Sequence, residues 1–298
     1  ELIGVWLAEQ WRKVGRPEAV LAELGPGRGT LMADILRATR NVVGFHDAID
    51  IHLIEASPVL RAKQSALLTD KHPRLRWHED AAHLPAKPLL LIANEFFDAL
   101  PIRQFVADKG GWKERVIAAG QGHALHFHMA DVDANLQGML DARFQKRAGE
   151  MYEYSQATEA VANYLCYHLS AHGGAALIVD YGYEQGNGDT LQAMRAHRPH
   201  ELLAEPGTAD LTAHVDFGLL KSVALKHKLK AYGPTAQGMF LSKLGAHTRA
   251  ATLCQNANDK QKAAIVCGLN RVLALEEMGH LFKVMCIATS EHPEPEGF

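Results

Sequence analysis

The stretch LAELGPGRGT, Leu21 to Thr30, leaves its part of the chain few ways to fold. An apolar run closes on Glu23 and Leu24 and meets three glycines within five residues, Gly25, Gly27 and Gly29. Glycine accepts the left-handed backbone region that other residues avoid, so the segment reads as a strand turning sharply into a helix. Such a turn sets main-chain N–H groups and a helix N-terminus at a sheet edge, where a ligand can come close to the backbone. A tight strand-to-helix turn with no ligand is the plain alternative.

Apolar runs of the same kind recur. Strands are expected at Val20 to Leu24, Ile51 to Glu55, Leu75 to His78 and Leu89 to Asn94, with helices around Leu31 to Arg40 and Pro58 to Leu68. An amphipathic helix precedes them, with Ile3, Leu7 and Trp11 at helical spacing. Strands apolar on both faces suit a buried parallel sheet, and their alternation with helices argues for a doubly wound α/β fold. Residues Gln104 to Met129 read as hairpins turning at DKGGW and AGQGH, and Leu136 to Leu169 as mostly helical. A strong strand returns at Gly173 to Tyr183, and a last pair at Leu229 to Gly233 and Leu281 to Ala288 completes seven core strands, the final two forming an antiparallel edge. The segment from QGMFLSKLG onward reads as an inserted helical cap.

Composition removes several function classes. A net charge of -3 gives no electrostatic footprint for nucleic acid, and no apolar run approaches the roughly 20 residues that span a bilayer. Cys166, Cys254, Cys267 and Cys286 are widely separated and read as reduced thiols. His126 and His128 share a strand face but lack a third ligand nearby, so solvated histidines are expected there and no metal site.

The chemistry concentrates at strand ends. The spacing Gly25-x-Gly27-x-Gly29 differs from the dinucleotide fingerprint, and Glu23 before it repels a phosphate but can receive an ammonium group. Glu55 ends the second strand, where an acidic side chain accepts hydrogen bonds from ribose hydroxyls. Glu79 and Asp80 follow the third strand, near the place of an adenine amino group, or serve as turn and cap residues. The fourth strand runs into NEFFDALP, which sets Asn94, Glu95 and Asp98 beside Phe96 and Phe97. An amide oxygen and two carboxylates suit a cationic acceptor, and aromatic rings favour a sulfonium; a capping Asp98 and core phenylalanines are the alternative. Further on, Asp180 and Tyr181 in DYGY are candidates for an acceptor pocket, against packing on a helix; Glu153 is a candidate to face a substrate channel; and Asp210, His214 and Asp216 cluster in a polar loop leading into a helix, with capping by Thr212 or Asp216 the alternative.

These pieces together resemble a class I S-adenosylmethionine-dependent methyltransferase. More narrowly, ELGPGRGTL, NEFFDALP, GGAALIVDYGY, PGTADLTAHVDF and QGMFLSKLG resemble the MidA-like family, which includes a mitochondrial complex I assembly factor acting as a protein arginine methyltransferase. The resemblance implies one Rossmann-like domain over residues 1–298, with a donor-binding half of about 1–100, a hairpin and helical insertion of about 103–172 and a cap of about 238–278. It implies S-adenosylmethionine as donor and S-adenosylhomocysteine as product, held by Glu23, Gly25, Gly27, Gly29, Thr30, Glu55, Glu79, Asp80 and Asn94. Asn94, Glu95 and Asp98 then take the catalytic roles, orienting a guanidinium nitrogen for direct displacement at the methyl group. The expected partner is a protein, a core subunit of respiratory complex I, in the mitochondrial matrix of a eukaryote or the cytoplasm of a bacterium; oligomeric state is not legible. The family's GDF-T-P type motif, expected before ELIG to help close the donor pocket, does not occur in these residues. A non-catalytic assembly factor with a vestigial pocket and an NAD-dependent oxidoreductase are the rival classes.

Overall fold

The computed structural model describes residues 1–196 and 198–298, without the side chain of His123. In chain order the first elements are α1 (Leu2–Lys13), β1 (Ala19–Leu24), α2 (Thr30–Thr39), α3 (Phe45–Ala48), β2 (Ile49–Ile54), α4 (Pro58–Leu68), β3 (Leu75–His78) and β4 (Leu89–Asn94). There follow β5 (Arg103–Asp108), β6 (Gly111–Ala119), β7 (Leu125–Asp131), α5 (Ala134–Arg143), β8 (Met151–Tyr154), α6 (Gln156–His172) and β9 (Gly174–Tyr183). Three short strands, β10 (Gln192–Arg195), β11 (Arg198–His200) and β12 (Asp210–Thr212), precede β13 (Val215–Asp216) and α7 (Phe217–Lys226). The chain ends through β14 (Lys230–Ala236), α8 (Gln237–Lys243), α9 (Ala246–Gln255), α10 (Asp259–Leu273) and β15 (Phe282–Ala288).

Two compact units divide these elements. The larger comprises Glu1–Phe96, Val161–Glu184 and Phe217–Phe298. Its sheet has the strand order β14-β15-β9-β4-β1-β2-β3, and β3, β2, β1, β4 and β9 pair in parallel. The seven strands expected from the sequence are these seven, in a sheet that counts eight. β15 pairs antiparallel with both β9 and β14, so among these seven strands β15 runs against the rest and β14 resumes the common direction. The expected antiparallel edge is therefore one reversed strand inside a final pair. Every residue of β1 is buried, which covers the sheet centre on both faces. One face carries Leu21, Ile51, Leu53, Leu90, Ile92, Leu177 and Val284 against Trp6, Leu7 and Trp11 of α1 and Met32 and Ile35 of α2. Burial of this much apolar surface, at roughly 25 cal/mol per Å², is what holds the layers together.

The smaller unit comprises Phe97–Ala160 and Gln185–Asp216. Its four-stranded antiparallel sheet has the order β7-β6-β5-β8, with Phe105, Trp112, Leu140 and Tyr152 as its core. A three-stranded sheet, β11-β10-β12, lies in the same unit. The helical expectation for Leu136 to Leu169 is corrected at Met151–Tyr154, which is a strand paired with β5 through Phe105↔Tyr152. Four residues between two helices carry no periodicity of their own, and the partner lies far away in sequence.

Two histidines join neighbouring strands of the larger unit. His52 and His78 stack with ring centroids 4.9 Å apart, and Nδ1 of His52 lies 2.7 Å from Nε2 of His78, a bond in which one neutral ring donates to the other. Burial, with the His78 ring beside it, pulls the pKa of His52 down to about 4. Because the folded pKa lies below the ordinary value of 6.5, the neutral pair stabilises the fold fully above pH 6.5, and this is lost as pH falls toward 4. In His52→Val the urea midpoint is therefore expected to fall less between pH 6.5 and 4 than in the wild type.

Candidate functional site

Parallel register brings the candidate strand ends to one edge of the larger unit's sheet. Glu23 of β1 lies opposite Leu53 of β2 and Ile92 of β4. Beyond the strands the ladder continues by one residue each: Gly25 N donates to Ile54 O at 3.0 Å, Glu55 N to His78 O at 2.9 Å and Glu95 N to Val179 O at 2.9 Å. The first residue of the loops after β1, β2 and β4 is thus pinned by the neighbouring strand.

Gly25, Gly27 and Gly29 have φ of 60°, 56° and 79°, all left-handed. A non-glycine residue there costs roughly 1–2 kcal/mol. A Cβ on Gly25 would stand 3.0 Å from the Phe96 ring, whereas one on Gly27 would meet nothing within 4 Å. The loop therefore touches the segment after β4 at one end and is open in its middle. Gly29 is the N-cap of α2, and Thr30 is its first, exposed residue.

Glu23 is the electrostatic anomaly. It is 3 % exposed, and its Oε2 has no hydrogen-bond partner. Burial pushes its pKa up to about 8, opposed in part by a backbone hydrogen bond from Met32 in the first turn of α2. A buried carboxyl group with one idle oxygen under an open glycine loop is a ready acceptor for an ammonium group, directly or through water.

Glu55 is buried and held on both oxygens. Ser57 N donates to Oε1 at 2.9 Å and Gln64 Nε2 to Oε2 at 3.2 Å. Each oxygen keeps lone pairs for ribose hydroxyls. Arg61 Nε donates to the Glu55 carbonyl oxygen at 2.5 Å. Asp80 caps a short turn, accepting from Ala82 N and lying 2.9 Å from His83 Nδ1, and Glu79 stands exposed beside Arg61 at 3.8 Å. Both follow β3 as expected, with Asp80 also filling the capping role.

After β4, Asn94 is half-buried and its Nδ2 donates to Glu95 Oε1 at 3.4 Å. Glu95 is exposed with φ of 49°. A left-handed glutamate is strained, and such strain collects at functional positions. Asp98 belongs to the smaller unit, where it is buried and its carbonyl oxygen accepts from Ala213 N at 3.0 Å.

Other candidates resolve differently. Asp180 is fully buried and accepts from its neighbour Tyr181 N, while the Tyr181 ring meets Phe282 edge-on at 5.4 Å. Glu153 is a hydrogen-bond hub, accepting from Gln104 Nε2, Thr190 N and Thr190 Oγ1. These bonds engage both of its oxygens and brace it within its unit. Asp210 lies on β12, Asp216 on β13 and His214 between them, where burial lowers the His214 pKa. Sequence reasoning passed over Gln64, a lone glutamine in α4 with no motif around it.

The Rossmann-like sheet that carries these strand ends is the architecture of class I S-adenosylmethionine-dependent methyltransferases. Residues 2–235 match the family described as "Putative S-adenosyl-L-methionine-dependent methyltransferase". The chain belongs to this family of S-adenosyl-L-methionine-dependent methyltransferases. Among named relatives, it is 33% identical to "Protein arginine methyltransferase NDUFAF7, mitochondrial" of Xenopus laevis, over 96% of this chain and 71% of that protein. It is 30% identical to the Homo sapiens protein of the same name, over 96% and 70%. A crystal structure from Burkholderia thailandensis superposes with a TM-score of 0.85 at 25% identity, covering 100% of this chain and 80% of the other. Another from that organism, bound to S-adenosyl-homocysteine, gives 0.78 at 26%, covering 96% and 76%.

The raised pKa of Glu23 has a direct consequence. A carboxyl whose folded pKa exceeds the unfolded one binds its proton more tightly when folded, so the ligand-free protein loses stability as pH rises from 4.5 to about 8. Glu23→Gln is expected to remove that slope. Measured by denaturant midpoint, the variant's advantage over wild type grows up to about pH 8 and is constant above.

Proposed function

We propose that this methyltransferase acts on a protein arginine, and that its acceptor is a core subunit of respiratory complex I. The printed names of the relatives support the arginine assignment, and the family resemblance supports the complex I acceptor. The single observation that carries the donor assignment is Glu23, buried with an idle oxygen beneath the open Gly27 loop. On this reading Glu23 receives the donor's ammonium group, Gly25, Gly27, Gly29 and Thr30 let it approach the backbone, and Glu55 takes its ribose. Glu79 and Asp80 stand at the adenine end, and Asn94 beside the sulfur.

When bound, S-adenosylmethionine supplies an already activated methyl group, so the chain's task is placement. Arginine is protonated at neutral pH, with a pKa of about 12.5 or more. Asn94 orients the attacking nitrogen through its amide oxygen, and Glu95 offsets the guanidinium charge. The site of action is the mitochondrial matrix in a eukaryote and the cytoplasm in a bacterium. No helix among the described residues is long and apolar enough to cross a membrane.

Calorimetry is expected to show binding of S-adenosylmethionine and S-adenosylhomocysteine and none of NAD. Donor binding without any methylarginine on complex I core subunits, by mass spectrometry of cells with and without the protein, would identify a non-catalytic assembly factor instead. Glu95→Gln is expected to lower methyl transfer to an arginine acceptor peptide by about tenfold or more with donor affinity kept, the size expected for one lost charge-stabilising group. Full activity in both Glu95→Gln and Asp98→Asn refutes the acceptor roles.

A further inference from the structure

Gln64, on α4, is fully buried and uses its whole amide on three separate parts of the donor-facing edge. Its Nε2 donates to the Gly27 carbonyl oxygen at 2.8 Å and to Glu55 Oε2 at 3.2 Å. Its Oε1 accepts from Trp77 Nε1 of β3 at 2.9 Å. The partners dictate the amide's orientation, because a carbonyl and a carboxylate only accept and an indole N–H only donates. No other side chain of this length offers two donors on one arm and an acceptor on the other. Glutamate would set an oxygen against two acceptors; methionine would match the length and satisfy none of the three. Gln64 also lies directly under the loop, since a Cβ on Gly29 would stand 3.4 Å from Gln64 Cγ.

We infer that Gln64 is a positioning residue for the donor: it locks the Glu55 carboxylate in the rotamer that meets the ribose diol and ties that carboxylate to the glycine loop. The inference rests on the reading of Glu55 as the ribose acceptor. Glu55 Oε1 is fixed by the adjacent main chain at Ser57, but Oε2 is fixed only from α4, nine residues on. Without Gln64 the carboxylate is held at Oε1 alone, and the carbonyl of Gly27 loses a buried donor. Trp77 steadies the amide from the opposite side and so acts one step further back.

The test compares binding of S-adenosylhomocysteine and its 2′,3′-dideoxy analogue by calorimetry to the full chain, with thermal unfolding recorded for each variant. The ratio of the two affinities reads the ribose contact and is unmoved by a general loss of stability. In Gln64→Met this ratio is expected to fall about tenfold, the low end for a hydrogen bond involving a charged group. Trp77→Phe, which keeps the ring and removes the N–H, is expected to lower it by a smaller factor. A ratio unchanged in Gln64→Met while Glu55→Gln collapses it overturns the inference and leaves the donor site standing. A ratio unchanged in Glu55→Gln refutes the ribose assignment itself. Should Gln64→Met not fold, Trp77→Phe decides, and a wild-type ratio there overturns the inference.

Discussion

Parallel pairing of β1 with β2 and β4 is the constraint on which the rest depends. Parallel strands end on the same side of a sheet, so residues that follow them in sequence are delivered to one edge although they are tens of residues apart. The ladder runs one residue past the ends of β1, β2 and β4, from Gly25 to Ile54, Glu55 to His78 and Glu95 to Val179. Each loop therefore starts from a fixed point, and the left-handed glycines and Glu95 can hold conformations that a free loop would abandon.

The same burial that builds the sheet charges its edge unusually. β1 is buried at all positions, and Glu23 shares that fate although it is ionisable. Its proton affinity rises because water is absent. Glu55, also buried, has its oxygens held by Ser57 and Gln64. Two glutamates one strand apart thus differ in what they lack: Glu23 has an idle oxygen and suits a cation, Glu55 has fixed oxygens and suits a diol. The difference follows from hydrogen-bond supply, since both side chains are chemically identical.

Much of the larger unit was legible because its signals are local. Apolar runs of five or six residues such as Val20 to Leu24 and Leu89 to Asn94 announce buried strands, and Ser57-Pro58 stands at the start of α4, where Ser57 accepts from Leu60 N. The smaller unit was less legible. β8 exists because β5 lies beside it, and the β10–β12 sheet is assembled from strands of three and four residues. Segments so short have no periodicity to read, and only their partners decide them. Glu153 illustrates the same limit for a side chain: an acidic residue in the sequence becomes a brace because Gln104 and Thr190 surround it.

By itself the sequence determined the order of strands and helices in the larger unit, the glycine spacing that discourages a pyrophosphate, and the placing of a carboxylate at or just past the end of each of the first four strands. Those are properties of neighbours along the chain, and local propensity and pattern suffice for them. Tertiary structure alone decided that Glu23 is dry, that Gln64 reaches Gly27, Glu55 and Trp77 together, that β14 runs with the sheet while β15 opposes it, and that His52 meets His78. Each of these depends on desolvation or on contacts between residues distant in sequence, quantities that exist only once the chain has closed on itself.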